Sequence, residues 1–394
     1  MSGKAEREAD LAVWCLALGQ FIAYAALLYS FPALLVAAEA GTGWSKAALA
    51  LGPTVALAVA AIVSPLCGRL VDRGWGGEML IGAPVVGALG LLAAAMAQGQ
   101  AGWVAGWALA GVAQGAGFYD GCFAFLIRRL GPDARAAIIR ITLVAGFSGT
   151  FTYPAGAWAG EVFGWRIALV MFAALIAIFG LAVNAWGVVL LRRGVRARGR
   201  AYADPPGMLA RAMRQRVFWL IGLIFALVYV AHGIIITFAI PLFQGTGASH
   251  AAAVWAAALV GAAQVAGRVL FMGWGRHYTL VGMVRSTLMA MVAAALVLWL
   301  AGAAPGLIFV TAALQGAAIG IVSILRPILI AELLGNEGFG AISGALAIGV
   351  LAGSAVAPWV GAVILDGAGV SATIGAVFVM ASLATGLAML VRRG

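Results

Sequence analysis

Four ionisable residues stand inside long apolar runs: Asp120, His232, Arg268 and Arg326. On insertion scales a charge at the centre of a bilayer costs about 2.5–3.5 kcal/mol, so such a residue is kept when it pairs or works. Arg268 lies about 18 residues into its run with no charged neighbour along it. Its guanidinium is a planar fork of donors that matches a carboxylate. The other reading is a side chain snorkelling towards the basic surface near Arg276. Gln264 lies one turn earlier and shares that helical face. Arg326 precedes Pro327. It either closes an internal ion pair with Asp120 or Glu332 or makes a second anion contact. Asp120 follows Tyr119. It is read as a proton carrier or as the structural partner of Arg326. His232 sits before Gly233, with Tyr229 one turn upstream. An imidazole changes charge near neutral pH, so His232 is read as a proton-handling group or as a satisfied hydrogen-bonding residue. Tyr24, Tyr29 and Tyr153 are read as packing.

The elements that must position these residues follow from composition. Of 394 residues, 64% are hydrophobic and 9% charged, against roughly 25% charged in a soluble domain. Such a chain cannot cover itself with a charged surface, which excludes a cytosolic enzyme and a secreted domain. Apolar stretches of about 20 residues specify membrane helices rather than barrel strands. The net charge of +11 resides in short loops, which argues against nucleic acid as a partner. Cys15, Cys67 and Cys122 fall in or beside apolar runs without metal or redox spacing. There is no phosphate-binding glycine loop, metal cluster or serine nucleophile motif. The expectation is no cofactor, no metal and no enzymatic activity. The start mixes Lys4 and Arg7 with Glu6, Glu8 and Asp10, and no small-residue cleavage site follows a short apolar core, so no cleaved leader is expected.

Apolar spans are predicted at about 11–36, 47–68, 79–98, 103–127, 141–160, 167–191, 217–243, 251–275, 283–302, 306–331, 340–364 and 372–391. With the N-terminus inside, twenty Lys and Arg residues fall in cytoplasmic segments, against Lys46 and Arg166 outside. This asymmetry predicts that both termini face the cytoplasm. A polar, arginine-rich segment at 192–216 separates two groups of six spans, giving bundles at 1–191 and 217–394. It is read as a solvated linker beside anionic lipid.

The two groups repeat. At a shift of 204 residues, Ser45 meets Ser249, Leu130-Gly131 meets Leu334-Gly335, Gly149 meets Gly353 and Pro154 meets Pro358. Gln114-Gly115 and Gln315-Gly316 recur at a shift of 201. A duplicated six-helix unit is implied, an arrangement that usually carries a substrate site near the midplane.

The loop after the second span reads Gly68-Arg69-Leu70-Val71-Asp72-Arg73-Gly74. It resembles the signature loop of the major facilitator superfamily, Gly-x-Leu-x-Asp-Arg/Lys, and Trp75, Gly76 and Gly77 then depart from the pattern. With twelve spans split six and six, the resemblance covers nearly the whole chain. It implies that Asp72, with Gly68 and Arg73, belongs to a gate in which the aspartate caps a helix and pairs with an arginine on a neighbour. In the second half the matching position is Arg276. Gln264 to Arg268 resembles the eighth helix of the monocarboxylate-transporter and oxalate:formate-antiporter branch, whose arginine binds substrate carboxylate. The eleventh span holds no lysine, which argues against a dicarboxylate. Gly111 stands where many drug/proton antiporters carry arginine, which argues against multidrug efflux.

The expectation is therefore an all-α membrane protein of twelve helices in two pseudo-symmetric bundles. It is read as a monomeric secondary carrier in a bacterial inner membrane, moving a small organic anion, a monocarboxylate, with protons by alternating access. Candidate substrate contacts are Arg268, Arg326, His232, Gln264 and Tyr119; Asp120 and His232 are the candidate proton-coupling groups. The alternatives are a proton-driven exporter of a cationic or neutral compound, with Asp120 as the acidic partner, and a non-transporting sensor built on the same fold.

Overall fold

A computed structural model of the chain describes residues 3–194, 207–274, 279–335, 337 and 339–391. Arg196, Arg198, Arg200, Asp204, Pro205 and Pro206 of the central segment, with Arg276, Arg392 and Arg393, lie outside the described residues.

Among the described residues every regular element is a helix. An apolar chain in lipid must satisfy its backbone within each segment, and helices do so. Among the described residues, ten stretches are long and apolar enough to cross a membrane. The fourth expected span, which is outside these ten, is two helices, α5 (Gln100–Gly117) and α6 (Tyr119–Leu130), broken at Phe118. The last two run together in one stretch, with the chain turning at Gly369, whose φ of 80° only glycine adopts readily. With these two cases the described helices are consistent with the twelve expected spans.

The chain forms two compact units, Met1–Ala201 and Tyr202–Gly394. The first contains α1 (Gly3–Tyr24), a π turn at Ala25–Tyr29, α2 (Ser30–Thr42), α3 (Lys46–Asp72), α4 (Gly76–Met96), α5, α6, α7 (Ala134–Ala145), α8 (Ser148–Phe163), α9 (Trp165–Leu175), a second π turn at Ile176–Gly180, and α10 (Leu181–Gly194). The second contains α11 (Met208–Met213), α12 (Arg216–Thr237), α13 (Ala239–Gly245), α14 (His250–Trp274), α15 (Leu280–Leu300), α16 (Leu307–Leu334) and α17 (Phe339–Met389). Leu16, Leu80, Leu126, Ile141 and Leu191 centre one core of the first unit. Ile221, Ile224, Leu288, Ile330 and Ile342 centre that of the second.

The sequence repeat has structural content. Ser45 and Ser249 each accept from the backbone amide three residues on, Ala48 and Ala252, at 3.2 Å. They are matching N-caps that satisfy an amide the helix start leaves open. Gly131 and Gly335, at φ 60° and 89°, end α6 and α16. A Cβ on Gly115 would sit 2.8 Å from the Ala60 carbonyl, and one on Gly316 would sit 2.4 Å from that of Val260. Glycine thus brings α5 onto α3 and α16 onto α14 at corresponding places.

Candidate transport site

In the first unit the site begins with the break at Phe118. The backbone there is extended, at φ −74° and ψ −171°. A break frees groups that an unbroken helix would pair. Gln20 on α1 donates its Nε2 to the Gly117 carbonyl at 2.6 Å. Gln114, one turn before the break, donates to the Leu27 carbonyl at 2.7 Å, within the first π turn. The side-chain oxygens of Gln20 and Gln114 are buried and accept no hydrogen bond among the described residues. Gly121 permits the geometry, because a Cβ there would lie 2.2 Å from the Ala116 carbonyl oxygen.

Four rings gather at the break. Phe118 stacks on Tyr24 at 4.2 Å and 13°. Tyr24 lies 4.6 Å from Tyr119, which stacks on Phe123 at 4.9 Å and 12°. All four are half-buried, and Asp120 beside them is exposed. Tyr24, read from sequence as packing, packs α1 against the broken helix through Phe118 and Tyr119. A buried glutamine or tyrosine in an apolar run carries no such signal before the break is known.

In the second unit Gln264 and Arg268 lie on one face of α14, each 8% exposed. A Cβ on Gly320 would meet the Gln264 carbonyl oxygen at 2.2 Å, so α14 and α16 touch backbone to backbone here. A Cβ on Gly267, beside Arg268, would lie 2.3 Å from the Ala317 carbonyl oxygen, so Arg268 sits where α14 packs on the Ala317–Gly320 stretch of α16, before Arg326. Arg326 is half-buried on α16. Arg268 is six residues from the Trp274 end of its helix, a rise of about 9 Å. It lies in the C-terminal third of α14 rather than at its centre. Its burial does not match a side chain stretched out to water.

His232 on α12 is 7% exposed, and its Nδ1 lies 3.4 Å from Nε2 of Gln315 on α16. Gln315, noticed in the sequence only as a repeat mark, is therefore the side chain that meets the histidine. Asp120 belongs to the first unit and Arg326 to the second.

The signature loop ends α3. The Gly74 amide donates to the Val71 carbonyl and that of Trp75 to the Leu70 carbonyl, both at 2.9 Å. With Gly74 at φ 96°, this is a Schellman ending, and it explains the glycine after Arg73. Asp72 and Arg73 are exposed, and nothing crowds Gly68. Arg128, from the last turn of α6, donates at 2.5 Å to the backbone carbonyl of Asp72 rather than to its carboxylate. The reason is that the carbonyls at a helix C-terminus lack intrahelical partners and carry partial negative charge. Nearby, Arg192 on α10 pairs with Glu78 on α4 at 2.6 Å.

The sequence profile described as Major Facilitator Superfamily matches residues 16–305, well over half of the chain. No curated protein matches it significantly in sequence. Among solved structures, a mutant of the nucleoside transporter NupG superposes with a TM-score of 0.74 at 14% identity, over 97% of this chain and 98% of that one. The unmutated NupG structure gives 0.71 at 14% identity, over 96% and 98%. At this identity the likeness concerns the fold. The helical architecture, the apolar spans and the profile match agree, and the chain belongs to the major facilitator superfamily, as a secondary transporter and not an enzyme.

Proposed function

We propose that this transporter carries a small organic anion, a monocarboxylate, coupled to protons, and that Arg268 binds the carboxylate. The observation that carries the reading is a buried arginine on α14, at the position where the monocarboxylate branch has its substrate arginine. A bidentate guanidinium–carboxylate pair is strong where water is excluded. Arg326 adds positive potential on α16, and Gln264 adds an amide on the face of Arg268. Two arginines within the spans favour anions over cations. His232 and Asp120 are the groups that take and release the coupled proton. Gly68, Asp72 and Arg73 form the gating turn. The bundles are 1–191 and 217–394, joined by a cytoplasmic segment at 192–216, in a monomer of a bacterial inner membrane with both termini inside.

The exposure of Asp120 beside the aromatic rings keeps a second reading, export of a cationic or neutral compound. Vesicle uptake under an imposed proton gradient, with labelled acids and amines, separates the two. Acid accumulation driven by inward protons supports the first reading. Amine extrusion without acid uptake replaces it with the second.

A further inference from the structure

We propose that the ring ladder Phe118–Tyr24–Tyr119–Phe123 is a stacking site for a planar conjugated ring, so that the compound carried is aromatic or heteroaromatic. The proposal deepens the carboxylate reading and rests on it for the charge of the substrate.

Non-helical backbone at membrane depth is tolerated only where it is buried in protein or lines a water-filled cavity. The break at Phe118 falls within the expected fourth span, yet Phe118, Tyr119 and Phe123 are only half-buried and Asp120 is exposed. A carboxylate facing hydrocarbon is strongly disfavoured. The face that carries Asp120 and the rings is thus a wetted face, not a lipid-facing one.

Aromatic packing does not demand this placement. The same unit has a second aromatic group, Trp103, Trp107 and Trp165 with Phe31, which is 0–6% exposed and fills a core. The ladder at the break differs: its rings remain partly open, and no further ring packs on Phe118 or Phe123 among the described residues. Wetted aromatic surface is a favourable partner for another ring, through buried apolar area and through offset stacking.

The ladder is also held rigid. The Tyr24 ring is held between Phe118 and Tyr119, 4.2 and 4.6 Å from their ring centres. Gln20, 1% exposed, is tied to the Gly117 carbonyl. Rings fixed before a ligand arrives lose little freedom on binding it, which is what a recognition surface requires. Asp120 is too close to the ladder to be ignored, and it would favour an aromatic amine if the charge reading is wrong.

The experiment compares ligands of equal size. Affinities of the full-length purified protein are measured by calorimetry for benzoate and for cyclohexanecarboxylate, and for benzyl alcohol and benzylamine. We expect benzoate to bind about five- to tenfold more tightly than its saturated analogue. The ratio should fall towards one in Phe118→Leu or in Phe123→Leu, with a melting midpoint and monodispersity like the wild type as the sign of an intact fold. Tyr24→Phe retains the ring and should retain the ratio. Equal affinities in the wild type, an unchanged ratio in both leucine variants, or no binding of any of the four compounds overturns the proposal. Ring-dependent binding of the alcohol or amine without benzoate leaves the ladder standing and removes the carboxylate reading instead.

Discussion

Arg128 on α6 donates to the backbone carbonyl of Asp72, 2.5 Å away, at the last residue of α3. The contact makes the arginine, rather than the aspartate side chain, the link between these two helices. The Schellman turn at Gly74 satisfies the carbonyls of Leu70 and Val71, and Arg128 takes the next one.

Arg128→Ala should therefore loosen this end of the first unit, at a cost of about 0.5–1 kcal/mol for a cation at a helix C-terminus. Asp72→Asn keeps the carbonyl and should cost less. Thermal midpoints of the two variants, with crosslinking across the C-terminal ends of α3 and α6, check the order. A larger effect from Asp72→Asn would return the role to the carboxylate.

Gly121→Ala should destabilise the protein by about 1–3 kcal/mol, because the new methyl would lie 2.2 Å from the Ala116 carbonyl oxygen and the break must open to admit it. Gly131→Ala is the comparison, where the space is open but φ is 60°. A neutral Gly121→Ala, read from the melting midpoint, would mean that the break is not this tight.

Gln315→Leu should strand the buried His232 ring nitrogen and cost about 1–3 kcal/mol. The double variant His232→Leu with Gln315→Leu removes both polar groups and should recover part of that loss. Additive losses in the two-variant cycle would show that the 3.4 Å contact carries no coupling.

What the sequence made visible was whatever repeats or interrupts an apolar pattern. The spans, the loop charges and the matched caps at Ser45 and Ser249 are of that kind, and so are the intramembrane charges at Asp120, Arg268 and Arg326. The break at Phe118 was not visible. No proline marks it, and Gly115, Gly117 and Gly121 do not stand out in a chain with 55 glycines. Tyr24 and Gln20 were hidden for the same reason: their roles exist only once α6 restarts beside α1. The Arg128 contact could not be read either, since its acceptor is backbone and backbone is the same at every residue.

The placement of the 192–216 segment is tested by single-cysteine labelling. The background is cysteine-free, with Cys15, Cys67 and Cys122 replaced. Arg200→Cys should react with a membrane-impermeant maleimide only in inside-out vesicles, and Lys46→Cys only in right-side-out ones. Labelling of position 200 from outside would invert the topology and with it the assignment of every loop.

The central claim is that Arg268 grips a carboxylate. Affinity for a transported acid, measured by calorimetry on monodisperse wild type, Arg268→Lys and Arg268→Gln, tests it most directly. Lysine keeps the charge but loses the planar fork, so affinity should fall substantially, and glutamine should abolish binding, in line with a cost of about 2–5 kcal/mol for leaving one member of a buried pair alone. Wild-type affinity in Arg268→Lys would contradict the account, because only an arginine that serves as a bare charge is replaced so freely.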